Sequence, residues 1–329
     1  MTIAFTLCSI NYLGQAKTLG DSLRKSNPHV RFIIGLVDKN TEQADLSFLG
    51  DLEVLEVDKI NLDGLDDMAN RYSIVEFLTS VKPFYFNYLF KTYPSADKII
   101  YFDPDIMVFS SLKELEDNLD KYEIILTPHF TNPIRDKFLP TEKHTYSTGV
   151  FNLGFLALSR GDNSQALINW WEEKLRYECI LDLTRGFFVD QLWMNLAPAY
   201  FDKVFIEKKA GYNMAHWNLH ERQLSETAEG YFVNGEKLVF YHFSHYNPGK
   251  PEQIAAYHTR FSFDSRPDIK QLFDNYRNHL TENKYFEMKK VPCYYLRDEG
   301  KKKFKKSVSL FLSRNMPLGL KMKLKALLK

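Results

Sequence analysis

Two carboxylates two residues apart, Asp103 and Asp105, directly follow a strongly apolar run at residues 98–102. Ligands in open α/β sheets bind beyond the carboxyl ends of the strands. Carboxylates in apolar surroundings are costly to desolvate unless a cation compensates, and oxygen ligands suit divalent cations. The Asp103-Pro104-Asp105 segment therefore predicts a divalent-metal site at a strand end, although the same residues also fit a simple turn or helix cap.

The elements that would position this pair alternate between strand-like apolar runs and helical periodicity. Strands are expected at residues 3–8, 30–37, 53–57, 98–102, 150–158, 204–206 and 237–243. Helices are expected at residues 13–26, 65–78, 83–93, 165–177 and 189–196. The β-α-β-α-β order through residue 102 predicts an α/β fold with a mainly parallel sheet flanked by helices.

Three further segments strengthen the metal-site interpretation because, together with Asp-Pro-Asp, they resemble an ordered motif set. They are Asn152-Leu153-Gly154, Asp190-Gln191 and Tyr241-His242-Phe243. The set resembles nucleotide-sugar glycosyltransferases of the GT-A fold, and most nearly glycosyltransferase family 8, which includes glycogenin and bacterial lipopolysaccharide galactosyltransferases. The resemblance spans roughly residues 1–260.

The resemblance implies a role for each matched residue. His242 would join Asp103 and Asp105 on the metal, and oxygen-rich ligation with one imidazole suits Mn²⁺, with Mg²⁺ as the alternative. Asn152, Asp190 and Gln191 are expected to be the catalytic residues that position the donor sugar and stabilise its oxocarbenium-like centre, and Gly154 is expected to be among the residues that bind the donor. The resemblance implies retention of anomeric configuration, but Asp190 equally fits the general base of an inverting reaction.

Five more residues are predicted to bind the nucleotide-sugar donor: Asn11, Tyr12, Asp38, Lys82 and Lys250. Asn11 and Tyr12 follow the first strand, where the family stacks an aromatic on the base; a tyrosine packed on its own helix is the alternative. Asp38 ends the second strand and is predicted to hydrogen-bond the base or ribose of the nucleotide. A solvated loop aspartate is the alternative. Lys82 matches a sugar- or phosphate-contacting lysine, or is a surface lysine.

The segment after His242 departs from the family pattern. His-Phe-x-Gly is expected to continue into a phosphate-binding Lys-Pro-Trp, whereas this chain has His245 for the glycine, a displaced Lys250-Pro251 and no tryptophan. Lys250 is therefore a candidate for contacting the phosphates of the donor, at a position shifted from that of the family's lysine. His216 and His220 have the spacing of zinc ligands on a helix but lack the zincin arrangement. Trp217 suits either a sugar pocket or the core, and Trp170-Trp171 suits the core.

Other function classes fit the sequence less well. No GxxxxGK[ST] loop and no strand-linked GxGxxG occurs, which disfavours P-loop and dinucleotide chemistry. The basic residues cluster outside any recognisable nucleic-acid module, so no nucleic-acid partner is expected. Two alternatives stay open: a sugar nucleotidyltransferase, although residues 9–14 lack its Gly-rich basic loop, and a non-catalytic carbohydrate- or membrane-binding scaffold.

The predicted function is metal-dependent transfer of a sugar from a nucleotide-diphosphate donor, UDP-hexose being favoured, to a hydroxyl group. The acceptor is expected to be a glycan or a lipid-linked molecule in surface polysaccharide or lipopolysaccharide synthesis.

The near-neutral net charge of +1 conceals an uneven distribution. Residues 301–329 carry ten basic and no acidic side chains, which leaves a charge of −9 on residues 1–300. We therefore divide the chain into a catalytic domain, residues 1–299, and a basic amphipathic helical tail, residues 300–329. Such a tail suits an anionic membrane surface, and with no signal peptide this predicts a cytoplasmic enzyme peripheral on the inner face of the membrane.

Deleting the residues after Gly300 should release the protein from anionic liposomes, because each basic residue near such a surface contributes about 1 kcal/mol. Donor hydrolysis should be spared. Liposome co-sedimentation of the full and shortened chains measures this, and unchanged binding of the shortened chain would refute the anchor.

Overall fold

A computed structural model describes residues 1–41 and 44–296 of the 329-residue chain. Its strands are β1 Thr2–Cys8, β2 Arg31–Leu36, β3 Glu53–Glu56, β4 Lys98–Phe102, β5 Ile106–Val108, β6 Ile124–Leu126, β7 Phe155–Ser159, β8 Leu181–Asp182, β9 Phe187–Phe188, β10 Val204–Ile206, β11 Met214–Ala215, β12 Leu224–Thr227, β13 Gly230–Val233, β14 Glu236–Lys237 and β15 Phe240–His242. Its α-helices are α1 Leu13–Ser26, α2 Leu65–Arg71, α3 Ile74–Ser80, α4 Lys82–Thr92, α5 Lys113–Leu119, α6 Glu142–Thr148, α7 Asp162–Glu178, α8 Ala197–Tyr200, α9 Lys270–Glu282 and α10 Tyr285–Met288. The predicted tail and its boundary lie outside the described residues.

The central sheet has seven strands in the order β10-β6-β7-β4-β1-β2-β3. Strand β7 is antiparallel to both β4 and β6, and the other neighbours are parallel. Every residue of β1 is buried, because apolar layers cover both faces of a mainly parallel sheet. Phe5 packs into one layer with Tyr85 and Phe86 of α4, and Ala4 faces the other layer with Leu19 of α1. The predicted α/β architecture is confirmed.

Several predicted elements are interrupted, and each interruption has a local cause. The helix expected at residues 65–78 ends at Arg71 and restarts at Ile74, because Ser73 and Glu76 form a capping box there. The strand expected at residues 150–158 begins only at Phe155. Before it, Phe151 forms a single bridge to Pro128, and residues 152–154 form a loop at the carboxyl end of β4.

A second sheet brings distant parts of the chain to that same end. It has the order β11-β15-β5, with β15 antiparallel to β5 and parallel to β11. The register pairs His242 with Ile106, the residue after Asp105.

Within the described residues, no helix is long and apolar enough to cross a bilayer.

Two adjacent tryptophans of α7 differ in how deeply they are buried. Trp171 is fully buried, and its indole Nε1 donates to the Asp190 carbonyl at 3.4 Å. Trp170 is half-buried against other aromatic rings near the surface. Trp171→Ala should lower the free energy of unfolding in urea by about 3–5 kcal/mol, and Trp170→Ala by less. Equal losses in the two variants would contradict the packing described.

Candidate active site

Asp103, Asp105 and His242 meet at the carboxyl end of β4. One ligand-type atom from each lies within 4.8 Å of the others, an arrangement able to hold a metal ion. His242 Nε2 is 3.0 Å from Asp105 Oδ1 and 3.7 Å from Asp103 Oδ2. The Asp-Pro-Asp segment is also a turn, since Ile106 N–H donates to the Asp103 carbonyl at 3.1 Å. The turn aims both carboxylates at the same imidazole.

A chain of hydrogen bonds fixes the tautomer of His242. His242 Nδ1 is 3.2 Å from Asn152 Oδ1, which can only accept, so Nδ1 carries the proton. Asn213 Nδ2 donates to the same Asn152 oxygen at 3.1 Å and holds the amide in this orientation. Asn152 Nδ2 in turn donates to His129 Nε2 at 3.3 Å. Nε2 is therefore the ring nitrogen that faces the carboxylates, and in the neutral imidazole its lone pair is the one available to a metal.

The protonation of His129 agrees with this chain of bonds. Burial lowers the pKa of His129 to about 4, so its ring is neutral and can accept at Nε2. Its Nδ1 lies 3.1 Å from the Val150 carbonyl, to which it donates. Sequence reasoning did not identify His129, although its position shortly after the apolar run of β6 was an available signal.

The charges at the site depend on one another. Burial alone lowers the pKa of His242, but Asp105 and Asp103 outweigh it, so the pKa lies above its ordinary value. Burial raises the pKa of Asp103. Burial acts in the same direction on Asp105, but His242 outweighs it and holds the pKa of that carboxyl below its usual range. The two carboxylates thus favour the protonated form of His242, and a bound cation would have to displace that proton.

Gly154 is required for this close approach. A Cβ atom at that position would lie 2.3 Å from His242 Cε1 and 2.8 Å from Asp103 Oδ2. Its carbonyl also accepts from Asp103 N–H at 2.7 Å, which fixes the backbone of the first aspartate. Gly154 therefore shapes the site through its lack of a side chain.

Lys82 is 2% exposed, so the alternative of a surface lysine is wrong. Its Nζ donates to Asp190 Oδ2 at 2.5 Å and to the Leu153 carbonyl at 2.8 Å, and lies 4.2 Å from the centre of the Tyr101 ring. Tyr101 in turn donates its hydroxyl to Asp103 Oδ1 at 2.5 Å. The buried ion pair is thus connected to the carboxylate pair through one aromatic ring.

The Gln191 side chain braces the loop before β7. Its Oε1 accepts from Leu153 N–H at 3.1 Å, and its Nε2 donates to the Thr148 carbonyl at 3.0 Å. With Lys82 bonded to the Leu153 carbonyl, both polar backbone groups of Leu153 are held by predicted site residues. Asn152, Gly154, Asp190 and Gln191 are therefore brought together as expected.

The predicted nucleotide-binding residues lie where β1 and β2 end. Asn11 and Tyr12 occupy a 3₁₀ turn, Ile10–Tyr12. Burial raises the pKa of Tyr12, and the negative charges of Asp105 and Asp103 raise it further. Asp38 is 1% exposed, which shows that the solvated-loop alternative is wrong.

The Asp38 carboxylate is bonded to backbone groups. It accepts from the N–H groups of Ile10, Lys39 and Tyr294 at 3.0, 2.8 and 2.7 Å. Asp38 thereby fixes the loop that presents Asn11 and Tyr12. Its contact with the base or ribose stays a prediction.

Of the remaining candidates, Trp217 packs against the site, whereas no hydrogen bond or ion pair among the described residues joins Lys250, His216 or His220 to the metal-ligand triad. Lys250 is exposed, and among the described residues its ammonium group has no hydrogen bond or ion pair. His216 starts a 3₁₀ turn, His216–Asn218, and His220 lies beyond it. In the described part of the chain neither belongs to a second metal-ligand cluster. Trp217 is buried, with its ring 5.2 Å from those of His242 and His129.

Comparison of folds and sequences identifies the class. The structure is similar to galactosyltransferase LgtC, solved with donor and acceptor sugar analogues: the TM-score is 0.51, with 16% identity, 92% of this chain covered and 100% of that chain. The sequence is 23% identical over 300 residues to the uncharacterized protein YfnF of Bacillus subtilis (strain 168), which covers 86% of this chain and 94% of YfnF. The fold is that of the GT-A glycosyltransferases.

The sequence profile of glycosyl transferase family 8 matches residues 3–251. The chain therefore belongs to this family and is a glycosyltransferase.

The raised pKa of His242 predicts how metal affinity varies with pH. Metal binding requires the neutral imidazole, so protons compete with the metal until the pH exceeds the raised pKa, which lies above about 6.5. Mn²⁺ affinity measured by calorimetry should rise with pH from 5.5 to 7.5, by up to about tenfold per pH unit below that pKa. His242→Gln should bind more weakly with a flatter profile. A flat profile in the wild-type protein would contradict the assignment.

Proposed function

We propose that this glycosyltransferase moves a hexose from a UDP-sugar to a hydroxyl group of a glycan or lipid-linked acceptor, with retention, in the presence of Mn²⁺ or Mg²⁺. The observation that carries the proposal is the convergence of Asp103, Asp105 and His242, with the His242 tautomer fixed for ligation. Family membership supplies the class of reaction.

The three side chains that could ligate a metal suit a divalent cation. Two carboxylates and one imidazole with a fixed tautomer suit Mn²⁺ and, less well, Mg²⁺. The side chains of Asp103 and Asp105 are 33% and 21% exposed, so the triad stays accessible to solvent and to a diphosphate. When bound, the cation would neutralise the charge that develops on the leaving nucleoside diphosphate.

The residues around the triad are proposed to hold the donor sugar. Asn152 keeps His242 oriented, while Lys82 and Gln191 hold the backbone of the intervening Leu153. A rigid loop at this point favours a reproducible position for the anomeric carbon. Gly154 leaves the space that the metal site requires.

The environment of Asp190 favours retention over inversion. Asp190 is 3% exposed, and its Oδ2 already accepts a hydrogen bond from the Lys82 ammonium. A general base for an inverting reaction needs a carboxylate oxygen free to take the proton of the acceptor hydroxyl. Taking up that proton would neutralise Asp190 and leave the buried Lys82 ammonium without its counter-charge, which is costly, so we assign Asp190 to sugar positioning.

The acceptor and the site of action rest on the sequence. We propose a glycan or lipid-linked acceptor of surface polysaccharide or lipopolysaccharide synthesis, reached by a peripheral enzyme at the inner face of the membrane. The support is the family resemblance together with the ten basic residues in positions 301–329.

Replacing either carboxylate tests the metal assignment. Removing a residue that only orients a metal ligand lowers metal affinity or activity about 10–100-fold. Removing a ligand itself should have a larger effect. Asp103→Ala or Asp105→Ala should therefore reduce Mn²⁺-dependent release of UDP from a panel of UDP-hexoses by more than about 100-fold. The matched control is Asp97→Ala, which removes an exposed carboxylate from the amino end of β4.

Folding of each variant is checked by its thermal transition. Full activity in either site variant, with the fold intact, would contradict the assignment of Asp103 and Asp105 as metal ligands. Donor binding by the wild-type protein without release of nucleoside diphosphate would favour the non-catalytic scaffold.

A further inference from the structure

The chain beyond the family-matched residues returns to the nucleotide end of the sheet. Asn283 Nδ2 donates to Thr18 Oγ1 and to Asp21 Oδ2, both at 3.0 Å, which ties the end of α9 to α1. Gly14 at the start of α1 permits this contact, because a Cβ atom there would lie 2.7 Å from the Asn283 carbonyl oxygen and 2.9 Å from Tyr285 Cα. Helix α10 is therefore held against the turn that carries Tyr12.

The same segment also reaches the end of β2. Tyr294 N–H donates to Asp38 Oδ1 at 2.7 Å, and Lys39 Nζ lies 5.0 Å from the centre of the Tyr294 ring. Residues 283–295 thus pass over both loops predicted to bind the nucleotide. A cation of this segment whose side chain turns toward these loops would lie beside the predicted nucleotide site.

Lys289, directly after α10, is such a cation. Its Nζ lies 3.4 Å from the centre of the Tyr12 ring and 5.4 Å from that of Tyr285. The side chain is half-buried, and among the described residues no carboxylate lies within 4.0 Å of its ammonium group. Burial lowers the pKa of Lys289 to about 8, although Asp105 acts in the opposite direction. The ammonium is thus partly desolvated without a paired anion.

The other charges of the described site are matched by a partner or would be matched by a bound metal ion. A divalent cation on Asp103 and Asp105 brings the sum of these three charges to zero, and the Lys82 charge is matched by Asp190. A nucleoside diphosphate brings several negative charges to this end of the sheet. The exposed Lys250 has no partner that would hold it at the site.

We propose that Lys289 binds the diphosphate of the donor, in the role that the family's Lys-Pro motif supplies from a different position. This deepens the proposed function and rests on it, since it takes the donor to be a nucleoside diphosphate. The contact with the Tyr12 ring holds the ammonium beside the residue predicted to stack on the base, from which the diphosphate would extend toward the metal site. An ammonium is a compact donor suited to phosphate oxygens.

Calorimetric titration of the full-length, Mn²⁺-loaded protein with UDP tests the proposal. Lys289→Ala should weaken UDP binding about 10-fold, as expected for loss of a charge-assisted hydrogen bond. Lys289→Arg should restore most of the affinity. The matched control is Lys290→Ala, which removes the neighbouring, exposed lysine and should leave UDP binding unchanged.

Uridine, titrated by ligand-observed NMR, separates phosphate binding from base binding. Its affinity should be the same in the wild-type protein and in Lys289→Ala. Unchanged UDP affinity in Lys289→Ala, an equal loss for uridine and UDP, or an equal loss in Lys290→Ala would each overturn the proposal. If the wild-type protein binds neither UDP nor another nucleoside diphosphate, the proposed function fails as well.

Discussion

The central constraint on this structure is the charge of two neighbouring carboxylates at the end of a buried strand. Asp103 and Asp105 lie on either side of one proline, at a point where the chain is surrounded by apolar layers. Their side chains are only partly exposed, and this partial desolvation of two negative charges favours a positive charge beside them. Strand β15 brings His242 to them through the antiparallel register with β5. The small second sheet is therefore part of the site, because without it the carboxylates would have no imidazole beside them.

The polar groups around the triad form two connected systems. One runs from His242 through Asn152 to the neutral His129 and settles which imidazole nitrogen faces the carboxylates. The other joins Lys82 to Asp190 and, across the Tyr101 ring, to Asp103. Buried hydrogen-bond networks of this kind restrict the motion of their members. A glycosyltransferase benefits from such rigidity because the donor must be held in one geometry while its anomeric bond breaks.

Much of this arrangement could be predicted from the sequence, and the exceptions share a physical cause. The turn at Asp103 and Asp105 follows from local sequence, and the motif around His242 could be recognised from its order along the chain. The partnership of Lys82 with Asp190 joins residues 108 positions apart, and periodicity carries no information about such contacts. Asp38 likewise accepts a hydrogen bond from Tyr294, which lies near the far end of the described chain. His129 and Lys289 escaped prediction because loop and chain-end positions are set by the tertiary fold.

The most direct test is a crystal structure of the protein with Mn²⁺ and UDP, in which anomalous scattering locates the metal. We expect one manganese within about 2.0–2.3 Å of oxygens from Asp103 and Asp105 and of His242 Nε2, with the diphosphate on its open side. A manganese bound elsewhere, or a diphosphate bound away from these three residues, would contradict it.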